Sequence, residues 1–282
     1  MLRALIVGFV AAAFAAPAGI TIPFAWTPGQ IEVAVDVNGT PATFLLDTGS
    51  EYSIVSTRLA QALRLATERR GVRDFADGVT LAMKGVTLAD QRVMAMPFDS
   101  VNARGRNIDG LIGYDFFAAY TVRIDFATKT LTAWKPSTFE PPQAAVEVPI
   151  TFAGRLPVIA ARLRLTRERT LDARLMVDTG ASQAVFLRYP FAMDHQLIGP
   201  ASQRTSAPSL ADGTRTLIDV PVEQVSVGSL SFDRPSVRAF AEPVGSAGGT
   251  ATDGLIGNTL LSRFTVYVDY ARKRLLLEPA RR

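Results

Sequence analysis

Phe44-Leu45-Leu46-Asp47-Thr48-Gly49-Ser50 returns later in the chain as Leu175-Met176-Val177-Asp178-Thr179-Gly180-Ala181, at an offset of 178 − 47 = 131. In both stretches three apolar residues run into Asp-Thr-Gly and then a small residue. Downstream, Asp109-Gly110-Leu111-Ile112-Gly113 returns as Asp253-Gly254-Leu255-Ile256-Gly257, at 253 − 109 = 144. Tyr120-Thr121-Val122-Arg123-Ile124-Asp125-Phe126 returns as Phe264-Thr265-Val266-Tyr267-Val268-Asp269-Tyr270 at the same 144. Between these landmarks, Ala76-Asp77-Gly78 matches Ala211-Asp212-Gly213, a match too short to carry weight alone. The order is the same in both halves and the offset only grows. That is the pattern of one unit duplicated, with loop insertions in the second copy.

The local pattern is mostly β. Ile31, Val33, Val35 and Val37 alternate with Glu32, Ala34 and Asp36, the period of a half-buried strand. Asn38-Gly39 follows, a strong hairpin signal because both residues tolerate positive φ. The chain then returns into Asp47. In the second copy Ile159, Ala161, Leu163 and Leu165 alternate with Ala160, Arg162 and Arg164, and a polar turn over residues 166–170 leads back into Asp178. Each Asp-Thr-Gly is thus expected after the second strand of a hairpin. Residues 57–65 read as a short helix, and residues 114–119 and 258–263 as another in each copy. Lys135-Pro136-Ser137-Thr138-Phe139-Glu140-Pro141-Pro142-Gln143 holds three prolines and reads as an extended connection. The expectation is an all-β, bilobal, β-barrel-like fold with pseudo-two-fold internal duplication and a few short helices. Its lobes are residues 19–134 and 144–282, joined by a linker over residues 135–143.

Composition removes several chemistries. There is no cysteine, so disulfides, thiol catalysis and thiolate metal sites are excluded. The single histidine, His195, has no ligand-spaced neighbour and no G-x-S-x-G elbow to serve, and reads as a surface or core-packing residue. The net charge is +4 and the pI about 9.6, yet the arginines are scattered. No dense basic stripe with interleaved aromatics is present, so no nucleic-acid partner is expected. Arg69, Arg70 and Arg73 read first as solvated loop charges; beside a substrate cleft they would favour acidic substrates. No metal or cofactor is expected.

With two intact motifs on the page, the chain resembles the aspartic peptidases of the pepsin and retropepsin type, over nearly its whole length after the first residues. The Gly-Leu-Ile-Gly form looks closer to retropepsin-like bacterial proteins, while both halves lie in one chain as in pepsin. The resemblance implies an acid-protease-like fold and a monomer, with a peptide or unfolded protein as substrate. It implies that Asp47 and Asp178 are the catalytic pair. Thr48 and Thr179 would tie the two loops across the pseudo-two-fold axis. Gly49 and Gly180 would give the backbone room beneath the carboxylates. Gly113 and Gly257, with the Leu-Ile before each, would buttress the loops from behind, and residues 75–78 and 210–213 would lie near covering flaps. Two departures stand out: no counterpart of the pepsin flap tyrosine, and Tyr114-Asp115 and Asn258-Thr259 where viral enzymes carry arginine. Two paired carboxylates sharing one proton can activate water and protonate a carbonyl without a metal. A non-catalytic peptide-binding module on the same scaffold is the alternative, and another hydrolase chemistry a third, since fold does not fix function.

The first residues read as a signal peptide over residues 1–18. Arg3 supplies the basic end, residues 4–16 are almost wholly apolar, and Ala13-Phe14-Ala15 and Ala16-Pro17-Ala18 offer small-x-small cleavage patterns. The apolar run is short against the roughly 20 residues a bilayer span needs. An exported protein, periplasmic or secreted, with no stable membrane span after cleavage, is the expectation. N-terminal sequencing of the protein from its native host should find a mature chain beginning at Ala16 or Gly19; a cytoplasmic protein starting at Met1 would contradict it.

Overall fold

The computed structural model describes residues 18–27, 29–102, 105–200, 202–209, 213–243 and 251–280. The expected signal peptide, apart from Ala18, and the second expected flap segment, apart from Gly213, lie outside the described residues. The described chain is all-β with a few short helices, arranged in three sheets. One sheet is built from the first copy, a second from the second copy, and a third takes strands from both.

The shared sheet runs in the order Ile20–Pro23, Thr130–Trp134, Thr121–Asp125, Phe264–Asp269, Arg274–Pro279, Val146–Pro149. Its two central strands are the repeated Tyr120 and Phe264 segments. They pair antiparallel, Val122 with Val268, Arg123 with Tyr267, Ile124 with Val266. Arg123 and Tyr267 are repeat equivalents at the 144 offset. A strand that meets its own copy antiparallel about equivalent residues carries a two-fold rotation at that point. Alternation explains why the pair stays together: Val122, Ile124, Val266 and Val268 are all buried in one common core.

Within each copy the hairpin forms as the alternation predicts. Gln30–Val37 pairs with Thr40–Leu46, and Asn38 (φ 49) and Gly39 (φ 86) make the turn, with the right-handed twist that two positive φ values give. Leu156–Arg164 pairs with Thr170–Val177 in the same way. The repeated Gly-Leu-Ile then slots in as a third strand. Gly110–Ile112 lies parallel to Thr40–Leu46 and antiparallel to Ile54–Ser56; Gly254–Ile256 does the same against Thr170–Val177 and Val185–Leu187. A central strand allows no bulk where backbones meet: a Cβ on Gly110 would lie 2.2 Å from the Ile54 carbonyl oxygen, and one on Gly254 2.1 Å from that of Phe186.

Three expectations need correction. The Ala-Asp-Gly match is not a structural equivalence. Ile54–Ser56 pairs with Met94 to Met96 as Val185–Leu187 pairs with Val237 to Ala239. Asp74 faces Ala95, and Asp219 faces Arg238, so Asp74 corresponds to Asp219. Ala76-Asp77-Gly78 therefore sits inside the strand Arg73–Met83, where the register shifts. Its counterpart runs through Pro221, which has no N–H to donate. There the long hairpin of the first copy is broken into two shorter ladders, Gly213–Asp219 with Val237–Phe240 and, between them in the chain, the hairpin Gln224–Val227 with Leu230–Asp233. The helix expected over 57–65 is Thr57–Ala62: Ser56 caps it by accepting the Leu59 N–H, and Arg64 turns left-handed at φ 52. The proline-rich connection is not wholly extended. Pro136–Thr138 makes one 3-10 turn, and Phe139 packs between Trp134 and Tyr267.

Ile124 is fully buried in the shared sheet. Ile124→Ala should cost about 2–5 kcal/mol, the range for emptying a well-packed core site, read as a lower urea midpoint at an unchanged slope.

Candidate active site

Each strand that enters Asp-Thr-Gly is held on the far side by the Gly-Leu-Ile strand. The Asp47 N–H donates to the Ile112 carbonyl at 2.9 Å and the Asp178 N–H to that of Ile256 at 3.0 Å. Gly113 and Gly257 close this buttress. A Cβ at 113 would stand 2.4 Å from the Tyr52 carbonyl oxygen, and one at 257 2.6 Å from that of Gln183. The acid that opens each repeated motif locks it to the incoming strand. Asp109 Oδ2 accepts the Thr43 N–H, and Asp253 Oδ2 the Arg174 N–H.

The two loops then meet. Thr48 and Thr179 are fully buried, and each hydroxyl works twice. Thr48 Oγ1 donates to the Val177 carbonyl at 2.7 Å and accepts the Thr179 N–H at 3.0 Å. Thr179 Oγ1 donates to the Leu46 carbonyl at 2.9 Å and accepts the Thr48 N–H at 3.0 Å. The reciprocal set sets the carboxylates side by side. Gly49 N–H donates to Asp47 Oδ1 at 2.7 Å; Gly180 and Ala181 N–H donate to Asp178 Oδ1 at 2.9 and 3.0 Å. The approach requires glycine on both sides. A Cβ on Gly49 would be 2.8 Å from the Asp178 carboxyl carbon, and one on Gly180 2.7 Å from that of Asp47. All eight expected site residues are thus assembled in one place.

Burial of this pair decides its protonation. Desolvation, then the neighbouring Asp178 charge, holds the Asp47 carboxyl well above the usual carboxylate range. Asp178 is also raised by burial, opposed by hydrogen bonds from Gly180, Asp47 and Ala181. Two such groups hold a single proton between them across a wider pH range than isolated carboxyls.

Beside Asp47 opens a cavity of about 280 Å³, floored by Ile54, Met94, Met96, Phe98, Val101 and Leu111. Glu51 and Arg73 stand at its mouth, 3.5 Å apart. Arg73 comes from the hairpin Thr67–Arg70 and Arg73–Met83, whose tip carries Gly71 and the exposed Val72. The tip therefore lies before residues 75–78, and Arg69, Arg70 and Arg73 belong to it. His195 sits apart, its ring 4.5 Å from that of Phe191, as a packing residue would.

Sequence reading missed four residues around the pair. Gln30 Nε2 donates to the Gly180 carbonyl, and Asn258 Nδ2 to that of Thr179, both at 2.6 Å. Arg155 lies over the Tyr52 and Tyr114 rings and ion-pairs with Asp115. The buried Tyr270 has its hydroxyl pushed well above the ordinary value by desolvation and then by the charge of Asp47. Asn258 was flagged only as a departure after Gly257; nothing local in the sequence singles out the others. Among the described residues no group of three or more His, Cys, Asp or Glu side chains could hold a metal ion, and no helix is long and apolar enough to cross a membrane.

Thr48→Val keeps the shape and removes the hydroxyl, leaving the Val177 carbonyl and Thr179 N–H buried without partners. At about 1–3 kcal/mol for each such group, it should unfold at clearly lower urea than the wild type. Thr48→Ser, which keeps the hydroxyl, should lose far less; equal midpoints for Val and Ser would show that these bonds do not hold the loops.

Residues 33–116 match the family model described as aspartyl protease. The matched stretch includes the first Asp-Thr-Gly and Gly113, ends inside the helix Tyr114–Ala119 and covers none of the second copy. It supports an aspartic peptidase family. No curated protein matches the chain.

Proposed function

We propose that this chain is an aspartic endopeptidase that hydrolyses peptide bonds in peptides or unfolded proteins, with Asp47 and Asp178 as its catalytic pair. It works as an exported monomer, periplasmic or secreted, in which lobes 19–134 and 144–282 each supply one carboxylate. The observation that carries this reading is the buried meeting of two carboxyls, each seated against the glycine of the other's loop, beside a cavity of side-chain size. The aspartyl protease match over the first Asp-Thr-Gly supports it.

The chemistry follows from one shared proton. Water held between the carboxyls gives a proton to the ionised member as its oxygen attacks the peptide carbon. The protonated member donates to the carbonyl oxygen, so a neutral tetrahedral diol forms without a covalent enzyme intermediate. On collapse the protonated member gives its proton to the departing amine while a diol O–H gives one to the ionised member, so the pair ends singly protonated as it began. The apolar cavity beside Asp47 takes a substrate side chain next to the bond that breaks. Thr48 and Thr179 hold the loops; Gly49 and Gly180 permit the approach; Gly113 and Gly257 support them from behind.

Activity should follow a bell in pH, because the pair must hold one proton rather than none or two. Burial raises both carboxyls. Protonation is therefore retained to higher pH than in free carboxyls, which pushes the alkaline limb upward while the optimum stays on the acidic side of neutral. Cleavage of unfolded protein across a pH series, with products mapped by mass spectrometry, tests the reading. Asp47→Asn and Asp178→Asn should each lower kcat by orders of magnitude with the fold intact. Full activity in either variant would remove that carboxylate from the mechanism.

A further inference from the structure

The two carboxyls are not equally supported. The Thr179–Gly180 peptide gives its N–H to Asp178 Oδ1, and its carbonyl accepts Asn258 Nδ2 at 2.6 Å. The next peptide, Gly180–Ala181, gives its N–H to the same oxygen, and its carbonyl accepts Gln30 Nε2, also at 2.6 Å. Both peptides facing Asp178 are thus bonded at both ends. A donor on an amide carbonyl polarises the amide, so its N–H binds an anion more strongly. The same donors stop the peptide planes from rotating away.

The side-chain amides can point only one way. Asn258 Nδ2 lies between two carbonyl acceptors, those of Thr179 and Gly29, the latter at 2.8 Å. Turning the amide over would set its oxygen against both. Its Oδ1 is buried without a partner, so the site retains the amide for its donor at a cost. Gln30 is fixed from behind: its Oε1 accepts Arg106 Nη1, and Arg106 Nη2 binds Glu32 Oε1, each at 2.5 Å. Gln30 and Asn258 are both buried.

The first copy has no such device. Gly257 corresponds to Gly113, so the counterpart of Asn258 is Tyr114, whose ring packs on Phe152 and Tyr270. Phe44 faces Val33 and Leu175 faces Ile159, so Gln30 corresponds to Leu156, which has no donor. Ser50 sends its hydroxyl to the Tyr52 carbonyl; its N–H meets the Asp47 carbonyl as that of Ala181 meets the Asp178 carbonyl, each at 3.4 Å, but the Ala181 N–H also reaches the carboxylate. The Gly180 N–H also faces Asp47, so Asn258 assists both carboxyls. Gln30 acts through Ala181 on Asp178 alone.

We infer that Gln30 is a positioning residue that makes Asp178 the ionised member of the pair and leaves the shared proton on Asp47. Asp178 then takes the proton from water and Asp47 protonates the carbonyl; these two roles rest on the peptidase reading, while the order of ionisation does not. Other charged or titratable groups among the described residues also face the pair; Tyr52 lines the cavity beside Asp47. Tyr270 faces both carboxyls. Glu51 and Arg73 stand at the cavity mouth beside Asp47. Arg106 and Glu32 lie behind Gln30 as an ion pair.

Each single Asp→Asn variant leaves one carboxyl to titrate alone, without coupling to its partner. With 13C-labelled aspartate, NMR titration should find Asp178 in Asp47→Asn ionising at lower pH than Asp47 in Asp178→Asn. Adding Gln30→Met should raise Asp178 by a few tenths of a pH unit, because it removes the polarising donor and weakens the Ala181 N–H bond by roughly 10–30% without breaking it. The same substitution should leave Asp47 unmoved. Equal or reversed ionisation in the two single variants would overturn the inference, as would an Asp178 titration unchanged by Gln30→Met in folded protein. Should Gln30→Met fail to fold, the order in the two single variants decides. Peptide cleavage by the wild type is a separate measurement: an inactive wild type overturns the peptidase reading while the carboxyl titrations still stand or fall on their own.

Discussion

Thr48 and Thr179 tie the two Asp-Thr-Gly loops together through four hydrogen bonds, two exchanged between them and one each to the Val177 and Leu46 carbonyls, in a site closed to water. Buried polar groups left unpaired are costly, so the two loops are stable only when both are present and in register. Every feature of the pair follows from that exchange. It fixes the spacing of the two carboxyls, and the spacing excludes any side chain at positions 49 and 180. Closeness and burial together then make the second ionisation difficult.

The shared six-stranded sheet repeats the same symmetry at a distance from the site. Its central strands meet about Arg123 and Tyr267, equivalent residues of the two copies. The equivalent acids Asp125 and Asp269 close the turns that follow. Asp125 accepts the Ala127 and Thr128 N–H groups, while Asp269 accepts the Arg272 N–H and binds the Arg272 and Arg274 guanidiniums. Asp269 is fully buried, a placement tolerable for a carboxylate because it is paired and hydrogen-bonded. Sheet and loops therefore impose one two-fold relation from two sides, and the loops need not supply it alone.

Around this symmetric frame the copies have diverged, both at the rim and beneath the loops. The first hairpin turns at Arg70 and Arg73, whereas the second continues from Arg204 and Ile218 to Ser209 and Gly213. Arg155 of the second copy reaches over Tyr52 and Tyr114 of the first, on one side of the pair. Gln30 of the first copy reaches the Gly180 carbonyl on the other. A duplicated scaffold gives two identical carboxyls; the residues that differ around them give them unequal surroundings.

The sequence alone determined the duplication and the hairpins; that Asp47 would meet Asp178 was what the resemblance of the repeated motifs implied. Alternation, turn residues and exact recurrence are local or self-referential signals, and Asn38-Gly39 or the two Asp-Thr-Gly stretches carry them without reference to anything else. The tripeptide Ala-Asp-Gly misled because three residues recur by chance, and only the register of the strands Arg73–Met83 and Gly213–Asp219 could say which positions correspond. Tertiary structure alone decided where Gln30, Asn258 and Arg155 stand. Gln30 and Gly180 lie 150 positions apart, and the hydrogen bond between them exists only because folding brings one copy's first strand beneath the other copy's loop. Nothing in the residues flanking a glutamine records which carbonyl it will meet.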